Sequence, residues 1–255
     1  MSISFVGVTS AQGAGTGTTT RFLSPIVPTL AGDLLVAFIA NNAPGAETNP
    51  LGAPDVGWTR IRRDLSITGG TSAQLWYKIA TGASDGGGTW TFGAPSSADV
   101  VVMDVLAYRT TEQPWALGNH DVLRTQQFVA NSPNTENVVA PSVLADTRAT
   151  QLLMCNFVSD DEGGGVGQSG TFALPGSLAQ RYNTFTNHVS ESNGEDVTVA
   201  PSAASGARTA VFSLIGPGRT TDQIGQSVIF GTDTAVIPPP PPPVGVPGYA
   251  RVGLP

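Results

Sequence analysis

The segment Ala31-Gly-Asp-Leu-Leu-Val-Ala-Phe-Ile-Ala-Asn-Asn42 decides the fold class of this chain. It begins with a polar turn and continues as a nearly unbroken apolar run, which is typical of a strand buried between two layers. A similar segment, Arg148-Ala-Thr-Gln-Leu-Leu-Met-Cys-Asn-Phe-Val-Ser-Asp-Asp161, occurs in the second half of the chain. The pair predicts that one kind of buried strand is built twice.

Two further matches follow in the same order. Gly57-Trp-Thr-Arg-Ile-Arg-Arg63 parallels Pro175-Gly-Ser-Leu-Ala-Gln-Arg-Tyr182, and residues 96–108 parallel residues 204–215. The repeat defines two halves, about 28–109 and 138–218. Either they fold into one jelly-roll-like β-sandwich, or they form two small sandwiches in tandem. We favour one domain, because each half is short of strands for a core of its own.

The rest of the chain also has the composition of an all-β protein. Its 31 glycines and 20 prolines interrupt short runs that are rich in Val, Ile, Thr and aromatic residues. Residues 110–135 are polar and mixed, so we predict a crossover loop there. The predicted strands are Ile3–Val8, Asp33–Ala40, Trp58–Ile67, Ala73–Ala80, Thr89–Phe92, Val100–Tyr108, Val138–Val143, Gln151–Val158, Ser177–Asn183, Val197–Ala200 and Thr209–Ile215. Ser227–Phe230 can form one more short strand before the proline run.

Composition and charge restrict the function classes. Only 12% of the 255 residues are charged and the net charge is −7, which argues against nucleic acid as the main partner. We see no signal peptide and no apolar run long enough for a membrane helix, so we expect synthesis in the cytoplasm and no membrane partner. The single cysteine, Cys155, lies in an apolar run and is predicted to be a buried, inert thiol.

Catalytic and metal-binding motifs are weak. Gly165-Val-Gly-Gln-Ser-Gly170 resembles a dinucleotide fingerprint, but the proline that follows excludes the required helix. Asp160-Asp-Glu162 does not have the spacing of a calcium loop and is predicted to be a solvated acidic turn. His120 and His188 have no nucleophile motif or metal spacing around them. We therefore predict no enzyme activity, no cofactor and no metal.

The four tryptophans bear on carbohydrate binding. Trp58, Trp76 and Trp90 lie in strand patterns, where aromatic residues usually pack in the core. Trp115 lies in the predicted polar loop, exposed or in a cleft. It is therefore the candidate contact for a cell-surface glycan.

Six prolines, Pro238 to Pro243, separate the body from a short C-terminal peptide. Such a run favours polyproline II, and at about 3.1 Å per residue it spans roughly 19 Å. Beyond it, Tyr249, Arg251 and Leu254 are residue types suited to anchoring an interface, although the Pro- and Gly-rich composition is also that of a disordered tail. We place the body at 1–218 and an extension at 219–255. We expect its partner-binding residues to be Pro238, Pro243, Tyr249, Arg251 and Leu254.

Five segments carry a resemblance to a known group: Ala31-Gly-Asp-Leu-Leu-Val-Ala-Phe38, Gly57-Trp-Thr59, Leu75-Trp-Tyr-Lys-Ile-Ala80, Ala107-Tyr-Arg109 and Ala207-Arg-Thr-Ala-Val-Phe-Ser-Leu214. In these the chain resembles the minor tail proteins, which are virion structural proteins, of tailed bacteriophages that infect actinobacteria. The resemblance covers residues 28–218 and brings no active site with it.

The resemblance implies a non-enzymatic protein of the virion, located in the tail or tail tip. Its partners would be other virion proteins, and it would form a homo-oligomer. A capsid decoration protein of the head is one alternative. A receptor- or glycan-binding module of a tail fibre, with Trp115 as its sugar contact, is another.

Overall fold

The computed structural model describes residues 2–14, 21–23, 29–42, 57–68, 70–82, 85, 90–92, 100–112, 114–129, 134–161, 170–185, 189–214 and 219–232. Every named element among these residues is a strand, so the all-β prediction is confirmed. The strands are β1 (Ile3–Ala14), β2 (Arg21–Leu23), β3 (Leu34–Asn42), β4 (Thr59–Leu65), β5 (Thr71–Ile79), β6 (Trp90–Phe92), β7 (Val100–Thr110), β8 (Trp115–Val129), β9 (Asn134–Ala140), β10 (Thr150–Asp161), β11 (Gly170–Ala173), β12 (Ala179–Phe185), β13 (Val189–Asp196), β14 (Arg208–Leu214) and β15 (Arg219–Thr232).

The strands pair antiparallel into two large and two small sheets. The first large sheet has the order β1-β7-β3-β5-β4, and the second has the order β12-β13-β10-β15-β8. The first small sheet pairs β2 with β6, and the second has the order β11-β14-β9. Each large sheet therefore draws its strands from one half of the chain.

The two large sheets pack face to face and form an inter-sheet layer. Alternate residues of a strand point to opposite faces, and one set from β3, including Leu34 and Phe38, meets the matching set from β10, including Leu152 and Met154. Phe230 of β15 joins the same cluster. All five are buried, so burial of apolar area in this layer joins the halves into one packed unit.

The outer faces of the large sheets carry two further clusters. In the first half, Trp58 and Trp76 are buried beside the odd-numbered residues of β3, which confirms their predicted core role. In the second half the second small sheet covers the large one. There the ring centroids of Phe172 and Phe212 lie 4.8 Å apart above β10. Cys155 is buried in that cluster, as predicted.

The two halves repeat the same topology. In each large sheet the central strand, β3 or β10, pairs on one side with the last strand of its half. That last strand pairs in turn with the first strand of the half. On the other side comes a hairpin whose outer strand has a β-bulge. The bulge lies between Arg60 and Arg62 in β4 and between Gln180 and Tyr182 in β12. Matching bulges are strong evidence of a structural duplication, because a bulge is a specific local irregularity.

The stacking of the sheets relates the halves by an approximate two-fold axis. β7 faces β13, β3 faces β10 and β5 faces β15. Since β13 is the counterpart of β5 and β15 the counterpart of β7, the facing order is reversed between the halves. The axis therefore passes between β3 and β10. Near it, Asn42 Nδ2 donates a 2.9 Å hydrogen bond to Asp160 Oδ1, a residue at the equivalent position.

Three predictions about the organisation of the chain are wrong. The crossover predicted at 110–135 contains β8, a long edge strand with exposed polar residues. The predicted boundary at 218 precedes β15, which pairs with strands on both sides and belongs to the body. The third repeat match is misaligned, because the counterpart of β7 is β15 rather than β14. The halves are thus 3–110 and 115–232.

Candidate functional site

The inter-sheet layer changes from apolar to polar towards one end, and this polar end is the candidate site. Asp104 interrupts the apolar run of β7, and Asn156 does the same in β10. In β13 the alternate residues Glu191, Asn193 and Glu195 face the first large sheet, and every residue of that strand is buried. Facing strands therefore bring several carboxyl and amide groups together away from water.

Asp104 and Glu191 form the centre of the site. Both side chains are completely buried, and their carboxyl groups interact with each other across the two sheets. Asn193 Nδ2 donates to Asp104 Oδ2 at 3.2 Å, and Asn156 Nδ2 donates to Glu191 Oε1 at 2.9 Å. The phenol of Tyr182 also hydrogen-bonds to Asp104. Within the described residues, no amide or hydroxyl donor reaches Asp104 Oδ1 or Glu191 Oε2.

These surroundings favour the protonated form of the pair. Burial raises the pKa of Asp104 well above its ordinary value, and the charge of Glu191 raises it further. Burial also raises the pKa of Glu191 to about 8, against the opposing effect of the hydrogen bond from Asn156. The pair therefore binds a proton more tightly than an isolated carboxyl group does.

Two ion pairs flank this centre at opposite edges of the layer. Arg62 holds Asp64 through two hydrogen bonds of 2.5 and 2.8 Å, and Gln226 Nε2 from the other half donates to the same carboxylate at 2.6 Å. At the other edge Arg181 Nε donates to Glu195 Oε1 at 2.9 Å. Each arginine lies on or beside the bulge of its strand, so the duplicated bulge places a cation at both edges.

Asp160 corrects a prediction about the acidic segment 160–162. Its carboxylate is buried, and it accepts hydrogen bonds from Asn42 and Thr71 of the first half. It therefore joins the halves instead of forming a solvated turn. Glu162 and residues 163–169, which hold most of the glycine motif, lie outside the described residues.

A groove lies at the surface junction of the two halves. The turn between β4 and β5 contributes Leu65, Ser66 and Ile67, and β8 contributes Val122, Leu123 and Arg124, around a volume of about 550 Å³. Ile67 is 60% exposed and Leu123 is 40% exposed. Arg124 Nη1 donates to the Leu65 carbonyl at 3.3 Å, which ties the two walls together.

The structure does not place Trp115 on a surface. The side chain is 6% exposed and packs in the inter-sheet layer with Tyr108, Leu152 and Phe230. A buried indole cannot stack on a sugar, so the predicted glycan contact at Trp115 is wrong. The cause is the misassigned loop, because the first residue of β8 points inward.

The remaining predicted residues are placed as follows. His120 is exposed on β8, 3.4 Å from Arg62 Nη1, and partial burial together with that cation lowers its pKa. His188, the side chain of Trp90 and the C-terminal residues Pro238, Pro243, Tyr249, Arg251 and Leu254 lie outside the described residues. The strand that precedes the C-terminal segment is described. It is β15, which ends at Thr232, and Thr232 Oγ1 donates to Glu112 Oε2 at 2.9 Å.

The described residues contain neither a metal-type cluster nor a membrane-type helix. Within the ranges given above, no group of three or more His, Cys, Asp or Glu side chains is arranged to hold a metal ion. Nor does any helix in the described part of the chain have the length and apolar character needed to cross a membrane.

Comparisons with known proteins add no relatives. No protein-family model matches the chain, and neither a curated protein nor a solved structure matches it. The duplicated fold and the buried carboxyl pair are therefore interpreted from this chain alone.

Proposed function

We propose that this protein is a non-enzymatic structural protein of a tailed bacteriophage particle, most specifically a minor tail protein of the tail tip. The resemblance in segments such as 31–38 and 75–80 supports the class of protein. The low content of charged residues supports assembly, because few charges must be desolvated when such a surface contacts a neighbour.

The observation that carries the proposal is the way the C-terminal segment is attached. It continues directly from β15, which pairs with β10 from Thr221 to Thr232 and with β8 from Arg219 to Thr232. A partner bound by residues 233–255 would therefore be coupled to the interior of the second large sheet. The segment is attached to a strand that is paired on both sides, and it carries a proline spacer and a peptide with interface-type side chains. These features suit a C-terminal strap, by which we mean a segment that links one subunit to another.

We also propose a jelly-roll-like description, and we apply it to each half rather than to the whole chain. In both halves the first strand pairs with the last in the large sheet, and the second pairs with the last but one in the small sheet. Nested pairing of this kind supports the description. The extra strand β11 widens the small sheet of the second half.

Removal of residues 238–255 tests the proposed function. We expect the truncated protein to fold, because β15 is intact, but to be depleted from purified particles. A second variant keeps the full length and the prolines but carries Tyr249→Ala, Arg251→Ala and Leu254→Ala. We expect this variant to be depleted from the particles as well. Cryo-electron microscopy of the intact particle would locate the protein in the tail or the head. Normal incorporation of both variants would contradict the proposal.

A further inference from the structure

We propose that Asp104 and Glu191 share one proton that locks the two halves together, and that loss of this proton at alkaline pH loosens the inter-sheet layer. This pair is independent of the C-terminal strap. The two residues belong to facing sheets, Asp104 to β7 and Glu191 to β13, and Asn193 of β13 already donates to Asp104 across the layer, so a proton shared by the pair would join one half to the other.

The first step is the charge of the pair. If both groups were ionised, two negative charges would be in contact in a layer without water, which is far less favourable than sharing a proton. The near donors are neutral: the amides of Asn156 and Asn193 and the phenol of Tyr182. One proton on the pair supplies the donor that Asp104 Oδ1 and Glu191 Oε2 otherwise lack.

The second step is the other charged and titratable groups of the layer. The two cations are held by their own carboxylates, Arg62 by Asp64 and Arg181 by Glu195. The further titratable groups on the facing strands are Tyr108 of β7, Tyr182 of β12, Asp160 of β10 and Asp222 of β15. All four are acids, so none of them offers a positive charge to the pair.

The third step is the direction of the pH effect. A carboxyl group whose pKa is raised on folding binds its proton more tightly in the folded state than in the unfolded state. Its contribution to stability is therefore complete below the ordinary carboxyl pKa and is lost as pH rises through the folded pKa, which for Glu191 is about 8. His120, whose pKa is lowered, changes stability in the opposite direction below pH 7. The decisive range is thus pH 7 to about 8.

Urea unfolding of the full chain between pH 5 and 9 provides the test. In the wild type the folding equilibrium constant should fall by up to about tenfold per pH unit in the decisive range. In the double variant Asp104→Asn/Glu191→Gln, which leaves the pair no carboxyl group to titrate, the fall should shrink to less than about twofold. Each single variant keeps one buried carboxyl group, so it should keep part of the fall. Val36→Ala is the matched control: it weakens the same layer without changing a titratable group, so it should keep the wild-type slope. A wild-type slope near zero would overturn the proposal.

A second measurement avoids variants that fail to fold. The infrared spectrum of the folded wild type at pH 7 should show the C=O stretching band of a protonated, buried carboxyl group, and the band should vanish reversibly as the pH rises. Its absence at pH 7 would overturn the proposal. So would millimolar calcium that both raises the thermal midpoint and abolishes the pH slope, because the pair would then hold a cation instead of a proton.

Discussion

Gly225 shows how closely the sheets approach one another. It lies in β15 beneath β9, and a Cβ atom at this position would overlap the backbone carbonyl group of Val139. Backbone atoms cannot move aside as a flexible side chain can, so we expect Gly225→Ala to lower the free energy of unfolding by about 3 kcal/mol. Gly82→Ala is the control, since nothing lies within 4 Å of its added Cβ, and it should change stability by less than about 0.5 kcal/mol. Urea denaturation measures both. Equal effects would show that the sheets are not in contact at Gly225.

Single residues differ in how far sequence could predict them. Cys155 was predictable because its neighbours are apolar, and burial raises the pKa of its thiol to about 12. Asp104 gave a weaker signal: a carboxyl group inside an apolar run. Its partner Glu191 lies in the polar segment of β13, so only the three-dimensional pairing shows why a carboxyl group is buried at that position. Trp115 was misjudged because inward or outward direction depends on strand register.

At the scale of elements, the end of the body is a testable boundary. A chain that ends at residue 232 keeps β15. A chain that ends at residue 218 lacks β15, the strand between β10 and β8. We expect the first truncation to unfold cooperatively, with a thermal midpoint close to that of the full chain. The second should be insoluble or unfolded, because it exposes Leu152 and Met154 and leaves the hydrogen bonds of β10 unpaired. Circular dichroism checks both. A folded product ending at 218 would restore the boundary predicted from sequence.

Strands with apolar runs were predictable, and polar strands were not. β3, β7 and β10 are buried on both faces, so their composition identifies them directly. β13 reads Val-Ser-Glu-Ser-Asn-Gly-Glu-Asp, which is typical of a loop. It is a strand because its polar side chains find partners on the neighbouring strands and in the sheets on either side. For related reasons β8 was missed and β15 was predicted only in part, over Ser227–Phe230. Strand preference depends on such context more than on the residues themselves.

At the scale of the whole molecule, the halves should depend on each other. Residues 1–112 expressed alone would expose the face that carries Leu34, Val36 and Phe38. A contiguous apolar surface of this kind favours aggregation or association. We therefore expect this fragment to be insoluble alone and soluble when it is co-expressed with residues 113–255, with which it should copurify. Size-exclusion chromatography checks this. A stable monomer of residues 1–112 would contradict the interdependence of the halves.

The position of β15 has a mechanical consequence. A pull on residues 233–255 along the strand direction acts perpendicular to the backbone hydrogen bonds that β15 makes on both sides. The hydrogen bonds to β10 and those to β8 are therefore loaded together, in shear. A strand at a sheet edge, pulled sideways, would instead lose its bonds one at a time. Through β10 the tension passes to the inter-sheet layer and from there to the first half. Under such a pull the whole body, rather than one strand, would act as the anchor of the C-terminal segment.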